Sequence, residues 1–341
     1  MAMSNSKNQQ ILLQNRPVGE PKDTDFALVE TPIPEPGAGE VLNRTIYLSL
    51  DPYMRGVMNA GESYAAPVEL GSVMVGGTVS QVITSNHPQF SEGDFVTGYG
   101  GWQAYGVAKG ESLRKLDPQI VPISYALGVA GMPGMTAYFA LLDIGQPKAG
   151  ETIVISAASG AVGAVAGQIA KIKGCRVVGI AGSEKKCDFV VKELGFDACI
   201  NRKTEELSAA LKASCPQGID VYYDNTAGPI LETVLQQINL GARIPLVGLI
   251  SQYNAESLPP GPNLMPLLVK RALIKGMLVT DYLPRQAEFF NDVSQWLHLG
   301  KLKYKEDVVE GLENAPRAFR GLLQGENFGK LIVKVGEDPT R

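Results

Sequence analysis

The stretch that most constrains the fold is residues 151–186. It opens with Thr152-Ile153-Val154-Ile155, a short β-branched apolar run of the kind found in a strand covered on both faces. Ala157-Ala158-Ser159-Gly160-Ala161-Val162-Gly163 follows as a turn of small residues. Over residues 161–174 apolar and small side chains recur at helical spacing, and Gly174 supplies the stop. Residues 176–180 are apolar and β-branched again. Strand, glycine turn, helix and strand in this order make one βαβ unit.

The turn is where chemistry enters. A dinucleotide pyrophosphate needs backbone N–H groups at a helix N-terminus with no side chains in the way. Gly160 and Gly163 occupy the second and third glycine positions of that fingerprint, and Ala158 replaces the first. Ser159, Gly160, Ala161, Val162 and Gly163 are therefore expected cofactor contacts. An NAD site usually has an acid about 20 residues after the glycines, to hold the ribose 2′-hydroxyl. Here Ala181, Gly182 and Ser183 follow the second strand, Glu184 comes one step later, and Lys185 and Lys186 come next. The missing acid, a hydroxyl and nearby positive charge favour NADP over NAD. Either lysine also reads as a solvated charge on a helix face.

At 341 residues the chain has room for two domains. A net charge of −4 without a basic stripe argues against nucleic acid as a partner. No apolar run reaches the length of a membrane span, so no membrane partner is expected. Residues 1–10 are polar and lack a signal core, and a cytoplasmic protein is expected. Cys175, Cys187, Cys199 and Cys215 form no Cys-x-x-Cys pair and read as small reduced thiols. The two histidines, His87 and His298, read as surface residues and supply no zinc cluster, so no metal is expected.

In chain order, residues 40–49 read as a strand ended by Asp51-Pro52, which leaves Tyr53 just beyond it. Residues 57–69 read as irregular and carry Tyr64. Residues 71–84, 93–98 and 101–108 read as further short strands, with a bulge or close approach at Gly76-Gly77, and together suggest a small, partly open barrel. Residues 123–142 read as helical, interrupted at Met132-Pro133-Gly134. From 151 onward strands and helices alternate, with a helix expected over 230–240 and strands over 242–249 and 272–279. That alternation predicts a doubly wound parallel sheet, whose strand ends at 156–163, 224–228 and 248–254 face the ligand. Residues 327–335 read as a strand returning to the first domain.

These segments carry a family resemblance. The chain resembles the zinc-free medium-chain dehydrogenase/reductases, and among them the alkenal/one double-bond reductases, closest to the curcumin reductase branch. The matching runs are Leu50-Asp51-Pro52-Tyr53-Met54-Arg55, Gly131-Met132-Pro133-Gly134 with Thr136-Ala137-Tyr138, residues 157–163, Leu194-Gly195-Phe196-Asp197, residues 249–254, and Asn327 with Gly329-Lys330. Asn86-His87-Pro88 and Leu258-Pro259-Pro260-Gly261-Pro262 point to that branch. The resemblance implies an α/β protein: a GroES-like, partly open β-barrel domain (1–125 and 305–341) plus a Rossmann doubly wound parallel-sheet domain (126–304). It implies NADPH as cofactor and a homodimer.

By the same resemblance Lys186 would bind the 2′-phosphate. Pro133, Thr136, Gly182, Ser183, Asn225, Gly248, Ile250, Ser251, Met277, Val279 and Asn327 would line the cofactor. Tyr253, Tyr53 and Tyr64 would face the substrate. Two departures stand out. Relatives carry Asn-Tyr-Lys where this chain has Asn201-Arg202-Lys203, so Arg202 reads either as a forked phosphate ligand or as a solvated loop arginine. Relatives also carry Asn-Val-Gly-Gly where this chain has Asn225-Thr226-Ala227-Gly228.

The implied reaction sends a hydride to the β carbon of a small-molecule enone, an α,β-unsaturated ketone or aldehyde. The enolate oxygen is then held by a tyrosine hydroxyl, Tyr253 or Tyr53, or by the cofactor ribose 2′-hydroxyl. A quinone reductase shares the zinc-free fold, and a low-turnover NADPH-binding sensor would need the nucleotide site alone.

Overall fold

The computed structural model describes residues 7–61, 63–257 and 259–341. The first six residues, Glu62, and the Leu258 that opens the Leu-Pro-Pro-Gly-Pro run lie outside the described residues. The chain divides into two compact units. The first contains Met1–Leu127, Glu306–Asn327 and Leu331–Arg341; the second contains Gly128–Lys305 and Phe328–Lys330.

The strands of the N-terminal segment are β1 (Asn8–Leu13), β2 (Phe26–Thr31), β3 (Glu40–Ser49), β4 (Thr78–Ser85), β5 (Phe95–Gly98), β6 (Tyr105–Lys109) and β7 (Arg114–Leu116), with a short helix α1 (Tyr53–Val57) after β3. In the second unit follow α2 (Met132–Phe139), β8 (Thr152–Ser156), α3 (Gly163–Ile172), β9 (Arg176–Ala181), α4 (Glu184–Lys192), β10 (Ala198–Asn201), α5 (Leu207–Ser214) and β11 (Ile219–Tyr223). It continues with α6 (Gly228–Leu235), β12 (Ile238–Leu246), α7 (Met265–Lys270), β13 (Leu273–Gly276) and α8 (Gln286–His298). The chain closes with β14 (Glu306–Glu310), α9 (Ala315–Gln324) and β15 (Lys330–Lys334).

In the first unit β14, β15, β3, β4, β5 and β7 pair in that order, β6 also pairs with β3, and β1 pairs antiparallel with β2. This sheet answers to the GroES-like barrel that the family resemblance implies. β15 lies antiparallel to β3, with Ile332 opposite Ser49, so the C-terminal strand does return to the N-terminal sheet. The core beneath is dense with large side chains, among them Leu48, Met54, Trp102 and Phe319. Gly76 is needed there for closeness, because a Cβ would lie 2.8 Å from the Leu48 side chain.

The second unit is a six-stranded parallel sheet in the order β10-β9-β8-β11-β12-β13. All five residues of β8 are buried, as a strand covered on both faces requires. Ile219, Tyr222, Val234 and Ile244 are among the buried side chains of the core around β11 and β12. Burying each such side chain contributes about 1.5–3 kcal/mol. Gly174 stops α3 in the left-handed conformation, φ 81°. Among the described residues no helix is long and apolar enough to cross a membrane.

Several expected boundaries shift for identifiable reasons. Pro133 does not interrupt a helix at 132–134. It sits in the first turn of α2, where its missing N–H has no intrahelical partner to lose. α6 ends at Leu235 rather than 240, and β12 runs over Ile238–Leu246 rather than 242–249. Ser183 caps α4, which begins at Glu184. His87 is half-buried rather than a surface residue. Its ring faces Phe90 at 5.5 Å and fills the space over Gly110, where a Cβ would lie 2.4 Å from it. Cys187 and Cys199 approach to 3.0 Å between sulfurs, a pairing their spacing does not announce.

Candidate active site

The strand order of the parallel sheet reverses between β8 and β11, and open sheets of this kind receive ligands at the carboxyl ends of the strands beside the reversal. β8 ends at Ser156. Ala157 then adopts φ 49°. The left-handed residue of the turn is thus Ala157 and not Ala158, which replaces the fingerprint's first glycine and is fully buried. A Cβ on Gly163 would lie 2.5 Å from the Ala157 carbonyl oxygen, so only glycine fits there. At Gly160 the same oxygen would be 3.2 Å away. The start of α3 is therefore a cradle closed to side chains, and it fits a pyrophosphate.

At the end of β9, Ser183 is extended and its Oγ accepts from the Lys186 N–H at 3.4 Å. Arg202 and Lys203 reach over Gly182. A Cβ there would lie 3.8 Å from a guanidinium nitrogen and 3.7 Å from the lysine Cε. Both residues are exposed, and neither forms an ion pair among the described residues. Two cations over a turn without an acid fit a 2′-phosphate. Lys203 escaped the sequence reading, although it sits in the same Asn-Arg-Lys run. Lys185 packs on the Phe328 ring at 5.7 Å, and Lys186 is half-buried.

The ends of β11 and β12 converge on Asn225. Its Nδ2 donates to the Ser156 carbonyl at 2.7 Å and its backbone N–H to Ser156 Oγ at 2.9 Å. Asp224, fully buried, accepts from the N–H groups of Thr226 and Ala227, both at 2.9 Å, and its carboxyl is pushed up by burial. A Cβ on Gly248 would lie 3.0 Å from the Asn225 carbonyl oxygen and 3.7 Å from the Tyr253 hydroxyl. That hydroxyl accepts from the Leu249 N–H at 3.3 Å, so its own proton is directed elsewhere. Burial pushes Tyr253 up, and it stays a donor at neutral pH. Ile250 N–H reaches the Asn225 carbonyl at 3.5 Å, and Ser251 Oγ donates to the Thr226 carbonyl at 2.6 Å. Met277, buried, donates its N–H to the Leu246 carbonyl at 3.1 Å, beside the end of β12. Val279 is half-buried two residues on.

Asn225, Gly248, Ile250, Ser251, Tyr253 and Met277 therefore share one end of the sheet. Thr136 is tied in differently. Its hydroxyl donates to the Met132 carbonyl at 2.8 Å, and its carbonyl accepts from the Tyr223 hydroxyl at 3.1 Å. Only an acceptor lone pair of the Thr136 hydroxyl remains for a ligand. Pro133 is buried in the first turn of the same helix.

In the first unit Tyr53 opens α1, half-buried on the core, and its hydroxyl is pushed up by burial, then by Asp51, Tyr99 and Tyr64. Tyr64 is 62% exposed and Tyr99 74% exposed. Tyr99 is a residue the sequence reading passed over. It follows β5 as Tyr53 follows β3, and the Gly98-Tyr99-Gly100-Gly101 run was the available signal. Asn327 also falls in the first unit, next to the Phe328–Lys330 segment of the second.

Comparison with known proteins places this geometry in a class. A family model described as the N-terminal domain of oxidoreductase matches residues 9–116, and one described as zinc-binding dehydrogenase matches residues 161–298. The chain belongs to the medium-chain dehydrogenase/reductases. Within them it belongs with the double-bond reductases. It is 49% identical to the NADPH-dependent curcumin reductase of Escherichia coli K12, over 99% of this chain and 100% of that protein. It is 43% identical to a tobacco (Nicotiana tabacum) 2-alkenal reductase (NADP(+)-dependent), over 97% and 98%. The crystal structure of CurA from Vibrio vulnificus in complex with NADPH superposes with a TM-score of 0.93 at 53% identity, covering 97% of this chain and 100% of that one. Among the described residues no group of three or more His, Cys, Asp and Glu is placed to hold a metal ion.

Proposed function

We propose that this chain is an NADPH-dependent reductase of the carbon–carbon double bond in α,β-unsaturated ketones and aldehydes, including curcumin-type enones. Full-length relatives at 43–49% identity act as NADPH- or NADP(+)-dependent reductases of such compounds. The observation that carries the mechanism is the Tyr253 hydroxyl at the end of β12, supported by Leu249 N–H and left with a proton to donate.

When bound, NADPH supplies the hydride. The amide groups at the start of α3, with Ser159, Gly160, Ala161, Val162 and Gly163, hold the pyrophosphate. Gly182, Ser183, Lys186 and Arg202, joined by Lys203, hold the 2′-phosphate. Asn225, Gly248, Ile250, Ser251, Met277 and Val279, with Pro133 and Thr136, line the rest of the nucleotide. Tyr253 donates to the substrate carbonyl oxygen, where negative charge grows as the β carbon is reduced. Tyr53, Tyr64 and Asn327 keep the roles that the family resemblance implies.

We take 126–304 as the NADP-binding domain and 1–125 with 305–341 as the substrate domain. With a tyrosine hydroxyl polarising the carbonyl, the chemistry is zinc-independent. The protein is cytoplasmic and a homodimer. β13 ends the parallel sheet with Leu273 48% exposed beside Leu268 of α7 at 73%, an apolar sheet edge suited to a second copy.

One preorganised donor is worth about 2.7–4 kcal/mol of barrier. Tyr253→Phe should therefore lower kcat for a short enone by about 10²–10³-fold, with the NADPH Kd unchanged. Steady-state NADPH oxidation checks this, with curcumin, a short enone and a quinone run in parallel and products identified by mass. An unaltered kcat would remove Tyr253 from the chemistry. Turnover of the quinone alone would overturn the double-bond assignment.

A further inference from the structure

Asp224 is a buried carboxyl that this mechanism leaves unused. It stands at the end of β11, across the reversal of strand order from Ser156. Its Oδ1 collects the Tyr222 hydroxyl and the Thr226 and Ala227 N–H groups, all at 2.9 Å, and the Ser156 and Thr226 hydroxyls, both at 3.3 Å. Its Oδ2 is buried and makes no hydrogen bond among the described residues. No Lys, Arg or His pairs with it among the described residues. A buried acid without a cation is unfavourable for stability, so stability alone does not account for it.

The donors show what the acid organises. Three of the five come from Thr226 and Ala227, in the turn that carries Asn225. A fourth, Ser156, accepts the Asn225 backbone N–H on its hydroxyl and the Asn225 Nδ2 on its carbonyl. Asn225 is thus held through backbone and side chain at once, with its donor nitrogen engaged and its Oδ1 left to accept. In sheets of this order the two nucleotide halves lie on opposite sides of the reversal. Arg202 and Lys203 lie over Gly182 at the end of β9, the adenosine side.

We propose that Asp224 is a positioning residue for the nucleotide: acting through the 225–227 turn and Ser156, it fixes Asn225 so that Oδ1 accepts from a donor on the nicotinamide half. This rests on the NADPH reading above and adds to it a residue that touches no ligand. The carboxylate collects several short, convergent donors, and such networks couple their members more strongly than isolated pairs.

The test is a double-mutant cycle on the full chain, read as NADPH Kd by fluorescence titration, with 2′,5′-ADP as the fragment that lacks the nicotinamide half. Asp224→Asn and Asn225→Ala should each weaken NADPH about tenfold and leave 2′,5′-ADP within about twofold. The double variant should bind NADPH no more weakly than Asn225→Ala alone. If Asp224→Asn does not fold, Ser156→Ala removes the same support from the neighbouring strand and enters the cycle in its place. Effects that multiply, an equal loss of 2′,5′-ADP binding, or unchanged NADPH binding in either single variant would overturn the proposal while leaving the reductase reading intact. A wild-type protein that binds neither probe would overturn both.

Discussion

The turns after β8 and β11 sit side by side at one end of the sheet and solve the same problem in different ways. Each leaves its strand through an alanine with positive φ, Ala157 at 49° and Ala227 at 56°. The first turn is shaped by absence. Gly160 and Gly163 keep side chains away, and its contacts are backbone against backbone, such as Gly160 N–H to the Ala157 carbonyl at 2.9 Å. The second is shaped by a side chain, the Asp224 carboxyl that gathers the turn's N–H groups around itself. A turn that must meet phosphates is best made of bare amides. A turn that must aim one side chain, Asn225, benefits from an internal anchor that fixes where it points.

The largest effect that would test this contrast is at Gly163. A methyl there has to enter the space of the Ala157 carbonyl oxygen, which is backbone and cannot rotate away. Gly163→Ala should destabilise the protein by about 1–3 kcal/mol and abolish tight NADPH binding. Gly160→Ala, with 3.2 Å to the same oxygen, should be far milder. Urea unfolding and NADPH titration on the two variants check the order. Equal losses at both glycines would mean that the turn is not a steric cradle.

A smaller effect is expected where the two turns touch. Ser156 closes β8 yet serves the second turn, accepting the Asn225 N–H at 2.9 Å and donating toward Asp224. Ser156→Ala leaves that N–H short of an acceptor in a half-buried position. The expected loss of stability is about 1–2 kcal/mol, read from the urea midpoint, with 2′,5′-ADP binding preserved. A variant that loses the fragment as well would show the two turns to be one unit.

The contrast also explains what was legible in the sequence. The first turn was readable because its logic is local: a β-branched run, two glycines at fixed spacing and a helical period. The parallel sheet followed from the alternation of patterns, and the departure at Arg202 pointed to the run that covers Gly182. Asp224 was legible only as part of the ligand-facing strand end 224–228, and its anchoring role was not, because its donors come from positions 156, 222, 226 and 227, which only the fold assembles. Tyr99 and Lys203 were missed for the same reason: exposure beside Tyr53 or over Gly182 is a property of neighbours, not of spacing. Pro133 misled in the opposite sense, since a proline that breaks a helix interior is indifferent in its first turn. The three-residue strand β7 carries too few residues for a period to show.

The smallest effect is the most diagnostic of the two backbones. Ala157 has φ 49°, whereas Ala227 combines φ 56° with ψ −151°, a region populated essentially by glycine. The family resemblance implies glycine at the corresponding point, in an Asn-Val-Gly-Gly run. The five-donor anchor at Asp224 holds Ala227 there against its preference. Replacing it with glycine relieves strain of about 1–3 kcal/mol, against about 0.5–1 kcal/mol of extra chain entropy lost on folding. Ala227→Gly should raise stability by about 1 kcal/mol. At Ala157, whose turn is held by backbone contacts and no carboxylate anchor, the same entropy nearly cancels the positive-φ penalty, so Ala157→Gly should be close to neutral. Urea midpoints for the two variants decide the matter. A gain confined to Ala227 means that the carboxylate is what imposes the backbone, and it should shrink in the Asp224→Asn background. Equal gains at both alanines would mean that the second turn is strained by its own chain path, with no anchor required.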